Sequence, residues 1–132
     1  MIVGLLVLVA AVAAGTPSLA SQHLLQDKKT TANSTVSCNR TGVTHVVSIV
    51  HNVASPSMTY GKLCDKLQII NYDNQIRLMA FGPHDDHQAY DGVVEEQLAS
   101  GQSLTVTMDQ AGTFHFHDHI GDVAQGDFTV SQ

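Results

Sequence analysis

The sequence predicts an all-β fold, a sandwich of about seven to eight short strands. From residue 44 onward the apolar residues follow a period of two, and no stretch shows the 3.6-residue period of a helix. Turn signals rich in Gly, Asp, Asn and Pro recur at intervals of about eight to twelve residues, which is typical of β-sandwiches. The chain has 132 residues, of which 43% are apolar, and this is enough for one domain with one core.

Seven stretches are predicted as strands. The first, residues 44–51 (THVVSIVH), is rich in β-branched residues, and residues 66–72 (KLQIINY) place Leu67 and Ile69 on one face. Turn dipeptides such as Gly-Pro, Asp-Gly and Gly-Asp separate the stretches. The remaining predicted strands are residues 76–81, 93–98, 103–108, 113–120 and 128–130.

The N-terminal third of the chain is predicted to lie outside the folded domain. Residues 2–14 form an apolar run too short for a comfortable membrane span, and a small-x-small pattern follows at residues 18–20 (SLA). Residues 1–20 are therefore predicted to be a signal peptide, and the alternative is an uncleaved membrane anchor. Residues 21–37 are polar and aperiodic, which predicts a flexible tether. Residues 38–132 then form the domain, exported to the periplasm, the cell envelope or the medium.

The two cysteines, Cys38 and Cys64, are predicted to form a disulfide, with two free thiols as the alternative. The bridge would close a loop of about 25 residues and stabilise the fold by about 3 kcal/mol. Two cysteines are too few for a four-thiolate zinc site.

The charge distribution points to cations as ligands. Twelve acidic residues against six basic ones give a net charge of −6, which argues against a nucleic-acid binder. Residues 78–132 hold nine Asp and Glu, five His and no Lys or Arg. A chain segment of this composition attracts cations and repels anions. The sequence therefore predicts a divalent metal ion as a partner.

The histidines of this segment form two groups. The alternation of a strand places His115, His117 and His119 on one face, about 7 Å apart. His84 and His87 flank two aspartates in the loop after residues 82–83, and imidazoles with carboxylates suit Cu(II), Zn(II) or Mn(II). A site that joins the loop to the strand is geometrically allowed. The alternatives are a solvated polar strand face and an ordinary exposed loop.

Four stretches in order carry a family resemblance: residues 66–73 (KLQIINYD), 98–108 (LASGQSLTVTM), 111–120 (AGTFHFHDHI) and 126–130 (GDFTV). Together they resemble a cupredoxin domain, and the resemblance covers residues 44–131. It implies a Greek-key β-sandwich and an association with copper. The intervening residues 81–93 (FGPHDDHQAYDGV) are similar to a loop of small exported bacterial cupredoxin-like proteins.

The same resemblance implies that the blue copper ligands of the family are replaced. Arg77 stands where the first His is expected, Asp118 where the Cys is expected, Gly121 at the second His and Ala124 at the Met. Blue copper electron transfer is therefore not expected of this chain. Asp118 is expected to point toward the former copper pocket and counts as a candidate ligand with the five histidines. Residues 117–119 (HDH) also resemble the His-Cys-His stretch of multicopper oxidases, whose histidines reach a copper cluster shared between domains.

These observations favour an exported metal-binding protein that uses Cu(II), or zinc as the alternative, for copper capture, delivery or protection in the cell envelope. One alternative is a metal-free interaction or adhesion module with a protein partner. Another is an oligomeric copper enzyme with its metal at a subunit interface. The sequence has no G-x-S-x-G elbow, phosphate-binding glycine loop or Cys–His nucleophile pair, so catalysis is not the first expectation.

Overall fold

The computed structural model describes residues 34–40 and 42–132. The predicted signal peptide and most of the predicted tether lie outside these residues. The described part contains nine strands and no helix, so it holds no helix that could cross a membrane. The strands are β1 (Thr44–Val50), β2 (Val53–Ser55), β3 (Met58–Lys62), β4 (Lys66–Asn71), β5 (Arg77–Phe81), β6 (Glu95–Leu98), β7 (Ser103–Thr107), β8 (Gly112–Asp118) and β9 (Gln125–Ser131).

The strands form two sheets, which confirms the predicted β-sandwich. A four-stranded sheet has the order β2-β1-β4-β7, and a five-stranded sheet has the order β3-β9-β8-β5-β6. The pairs β1–β4 and β3–β9 are parallel, and the other neighbouring strands are antiparallel. This order makes β5 and β8 neighbours although about 30 residues separate them in the chain.

Two short strands, β2 and β3, were not predicted, because residues 53–62 contain a Pro, a Gly and no sustained alternation. β2 pairs with the preceding β1 in a local antiparallel hairpin, whereas β3 pairs in parallel with β9 from the far end of the chain. The strand predicted over residues 113–120 ends at Asp118, where the backbone turns and the Asp122 amide donates to the Asp118 carbonyl. The His119 amide still donates to the Leu78 carbonyl of β5 at 2.7 Å.

The core lies between the two sheets. Alternate residues of β4 and β7 are buried there, as a period of two requires, and each large apolar side chain contributes about 1.5–3 kcal/mol. Met79 and Met108 are fully buried and belong to this core. Its other members include Val47, Ile49, Leu67, Ile69, Leu104 and Val106 from the four-stranded sheet and Phe81, Phe116, Phe128 and Val130 from the five-stranded sheet.

A disulfide joins the N-terminal described segment to the turn between β3 and β4. Cys38 and Cys64 are bonded, with Cα atoms 5.3 Å apart. Val36, which falls in the predicted tether, donates its amide to the Asp109 carbonyl at 2.8 Å. The ordered structure therefore includes residues just before Cys38.

Candidate metal centre

Strand β8 presents different chemistry on its two sides. Phe116 and Asp118 are buried toward the core side, and His115 and His117 lie on the opposite side, the outer face of the five-stranded sheet. An outward-facing residue of a sheet is ordinarily solvated, yet His117 has no exposed surface. The reason is the loop after β5, because its two histidine rings lie 5.2 and 5.3 Å from the ring of His117.

We call residues 82–88 the histidine loop. Both of its ends are fixed to the sheet: the Gly82 amide donates to the His115 carbonyl at 3.0 Å, and the Gln88 amide donates to the Phe81 carbonyl at 2.9 Å. Gly82 has a φ of +85°, a conformation that favours glycine, and a Cβ there would lie 2.8 Å from the Gln88 nitrogen. The Gly-Pro turn thus folds the loop back over β8.

Four histidines converge under this loop. The ring of His119 lies 4.6 Å from that of His84 and 4.5 Å from that of His87, measured between centroids. One ring nitrogen from each of His84, His117 and His119 lies within 4.8 Å of the other two. A zinc ion lies about 2.0–2.1 Å from each imidazole nitrogen that binds it. Small side-chain rotations would let three nitrogens at this spacing bind one ion. His87 is not one of this group of three, although its ring lies 5.2 Å from that of His117.

Four ring nitrogens of this cluster lack hydrogen-bond partners in the described residues. Within the described residues, both nitrogens of His117, Nε2 of His87 and Nδ1 of His119 are buried without a hydrogen bond. Leaving a polar atom buried and unpaired costs about 1–3 kcal/mol, so several such atoms in one place point to a ligand. A metal ion is the ligand whose chemistry suits unpaired imidazole nitrogens.

Burial also keeps His117 in the form that binds metal. Desolvation lowers the pKa of His117, and the neighbouring His87 and His115 lower it further, although Asp122 acts in the opposite direction. The imidazole of His117 is therefore neutral at physiological pH and has a lone pair to donate. A neutral imidazole at position 117 fits a divalent ion as its ligand.

His115 lies beside this cluster. Its ring stacks on that of His117 at 5.7 Å, with an angle of 18° between the planes. Its Nδ1 is 2.8 Å from Oδ1 of Asp127, the residue opposite it on β9. One of its two nitrogens is thus already committed to a carboxylate.

Asp118 is separated from the histidines by the strand itself. It is 1% exposed, and its Oδ2 accepts a hydrogen bond from Nη1 of Arg77 at 2.7 Å. Its Oδ1 accepts from the backbone amides of Leu78 and Ile120, at 3.1 and 3.3 Å. These bonds hold the turn that carries His119.

The four positions that the resemblance assigned to blue copper ligands lie together around Asp118. Arg77 pairs with the Asp118 carboxylate, and the Asp118 amide donates to the Ala124 carbonyl at 2.8 Å. A Cβ on Gly121 would lie 3.4 Å from Oδ2 of Asp118. A buried guanidinium, also paired with Asp73, repels a cation, and these positions supply no sulfur or imidazole. The residues present do not fit a type 1 copper ion.

Two carboxylates that the sequence reasoning did not single out as site residues flank the cluster. Oε2 of Glu95 lies 3.6 Å from Nδ1 of His87, and Oδ1 of Asp122 lies 3.9 Å from Nδ1 of His84. Asp85 and Asp86 share the loop with the histidines but are exposed, and neither forms an ion pair within the described residues. The absence of Lys and Arg after residue 77 was the one sequence signal for this acidic surrounding.

Solved structures of amicyanin share this fold. Oxidized amicyanin with a Met-to-Leu substitution aligns with a TM-score of 0.56 and 19% identity, over 65% of this chain and 80% of that one. Reduced amicyanin with a Trp-to-Tyr substitution gives 0.57 and 16%, over 76% and 94%. A reduced Cu(I) form at pH 4, with a Pro-to-Gly substitution, gives 0.56 and 16% over the same shares. No protein-family model and no curated protein matches the chain.

The chain therefore has a cupredoxin-like fold, as the sequence resemblance predicted. At identities below 20%, the likeness establishes the fold alone. Within the described residues, His84, His117 and His119 form a group whose donor atoms could hold a metal ion.

Proposed function

We propose that this chain is an exported metal-binding protein that holds a divalent ion, preferentially Cu(II), through His84, His87, His117 and His119. Its role is copper capture, delivery or protection in the cell envelope. The observation that carries the proposal is the convergence of four imidazole rings, of which His87, His117 and His119 have buried nitrogens with no partner within the described residues. Export is supported by the disulfide and by the apolar N-terminal run.

The donor set supports copper and zinc over harder cations. Neutral imidazoles suit Cu(II) and Zn(II), and Cu(II) binds most tightly of the common divalent ions at a given nitrogen site. Copper also appears in the amicyanin structures that share the fold. Without a thiolate, a bound Cu(II) gives a pale site rather than an intensely blue one.

The surface around the cluster supports capture from solution. The His84 side chain is 45% exposed while His117 is fully buried, so an incoming ion meets an accessible imidazole before the buried ones. The nearby carboxylates favour the approach of a cation.

Metal titration of the folded protein tests the proposal. Copper or zinc should raise the unfolding free energy by about 2.7 kcal/mol when free metal is a hundredfold above Kd. The double substitution His117→Ala with His119→Ala should abolish this increase. His51→Asn is the matched control, because His51 has a φ of 51°, which Asn tolerates, and lies outside the cluster.

Each other outcome selects an alternative. A double mutant with full metal affinity would remove this site. Wild-type protein that binds neither ion would favour the metal-free interaction module, which the Arg77–Asp118 pair at the former copper positions supports. An oligomeric enzyme with an interface metal requires a stable homo-oligomer, and a monomer at working concentration would exclude it.

A further inference from the structure

The two carboxylates at the rim of the histidine cluster lie against specific ring atoms. Glu95 of β6 faces Nδ1 of His87, and Asp122 of the turn after β8 faces Nδ1 of His84. In both cases the carboxylate lies on the Nδ1 side, which leaves Nε2 as the atom available to a metal. For His87 the opposite nitrogen, Nε2, is buried and has no partner in the described part of the chain.

Resting on the proposed function, we propose that Glu95 and Asp122 are positioning residues of the metal site. Each accepts the Nδ1–H of its histidine, fixes the ring tautomer and directs Nε2 to the ion. Metal-bound histidines almost always donate their other N–H in this way, and the partner sets both ring orientation and basicity. The present separations of 3.6 and 3.9 Å are longer than hydrogen bonds, so this role requires both contacts to shorten when the ion binds.

Charge supplies a second reason for these residues. Four neutral imidazoles leave the full charge of a divalent ion uncompensated in a partly buried site, which is costly. Glu95 and Asp122 bring two negative charges to its edge, and no Lys or Arg follows residue 77 to oppose them. They also belong to different elements, Glu95 to β6 and Asp122 to the turn after β8.

Zinc affinity measured by competition with a chelator tests the assignment. Glu95→Ala and Asp122→Ala should each weaken zinc binding about 10- to 100-fold, the loss typical of such outer partners. Glu95→Gln keeps an acceptor oxygen and should recover part of the affinity. The matched controls are Glu96→Ala and Asp85→Ala, which remove the same charge from neighbouring exposed positions and should change affinity less than threefold.

The ring protons give a readout that general destabilisation would not change. Long-range 15N–1H spectra of the metal-free protein at pH 8 should show the His87 proton on Nδ1, and Glu95→Ala should mix the two tautomers. A His87 proton on Nε2 in the wild type would overturn the proposal, and so would equal losses in the controls. Zinc binding that is insensitive to both substitutions overturns the positioning role alone, whereas wild-type protein without zinc binding overturns the proposed function as well.

Discussion

The environment of His117 differs between what its strand position predicts and what the fold gives it. By alternation it lies on the outer face of β8, where a histidine is ordinarily solvated. The histidine loop covers it completely and leaves both of its nitrogens without a hydrogen bond in the described residues. A buried unpaired imidazole is costly, and this cost supports the proposed metal ligand.

Gly82 is the residue that allows this cover to form. Its φ is +85°, and a Cβ at this position would lie 2.9 Å from the Asp86 carbonyl oxygen, so there is no room for a side chain. Gly82→Ala should destabilise the domain by about 1–3 kcal/mol through strain and weaken zinc binding at least tenfold, because the loop is displaced. Chemical denaturation and zinc titration measure the two effects.

Gly101→Ala is the control for this substitution. Gly101 also has a positive φ, +81°, but nothing lies within 4 Å of its Cβ position. It should lose stability through backbone strain and keep wild-type zinc affinity. Equal losses of affinity in both variants would contradict the role given to the loop.

The buried ion pair of Arg77 leads to a second prediction, about the stability of the fold. It is 1% exposed, and its guanidinium pairs with Asp118, which is equally buried. Arg77→Met should lower the unfolding free energy by about 3–5 kcal/mol, because it leaves a buried carboxylate without its charged partner. Urea denaturation with its midpoint gives the change.

Arg77→Met combined with Asp118→Asn separates charge from packing. Asn keeps an acceptor for the Leu78 and Ile120 amides but carries no charge. The double variant should therefore be more stable than Arg77→Met alone. If it is less stable, the unpaired charge is not the main cost.

At the scale of elements, the site depends on the adjacency of β5 and β8. The register aligns Phe81 with Phe116 and Ala80 with His117, so the loop leaving β5 starts beside the histidine strand. Residues 84 and 119 then meet although 35 positions separate them. The cluster therefore forms only because the loop after β5 and the end of β8 lie side by side.

The turn between β3 and β4 gives a prediction about pH. Hydrogen bonds from His45 and from the Lys62 and Val43 amides lower the pKa of Asp65 below its ordinary 3.8, against the effect of desolvation. A lowered folded-state pKa stabilises the fold above pH 3.8, and this stabilisation is lost as the pH falls through the folded-state value.

Asp65→Asn should therefore be less stable than wild type at pH 7, and the difference should shrink as the pH falls below about 3.8. Unfolding free energies from pH 7 to pH 2 test this dependence. The exposed Asp85→Asn is the control and should follow the wild type across the range. A constant difference between Asp65→Asn and wild type would mean that ionisation of Asp65 does not drive the effect.

At the scale of the whole molecule, the disulfide and the metal cluster should act separately. The bridge joins residues 26 apart, which corresponds to the expected stabilisation of about 3 kcal/mol in the chain-entropy model. Cys38→Ser with Cys64→Ser should lose about this amount and keep wild-type zinc affinity, because neither cysteine is among the cluster residues. Denaturation and zinc titration of the same sample test both statements. A loss of zinc affinity would show that the disulfide and the metal cluster are coupled.

The sequence by itself determined the all-β class, because the period of two is a local property that each strand carries. It also indicated the histidines of the loop and the strand, the acidic surrounding and the replaced copper ligands through the resemblance. Its strand count was low because β2 is only three residues long and β3 owes its structure to β9, a partner distant in the chain.

Only the tertiary structure decided which side chains meet. The order of strands in the sheet and the path of the histidine loop bring His84 and His87 onto His117 and His119, while Asp118 is turned to the core side and paired with Arg77. The positions of Glu95 and Asp122 beside the rings follow from the same packing. These contacts join residues far apart in the chain, and a pattern that repeats every two residues carries no information about them.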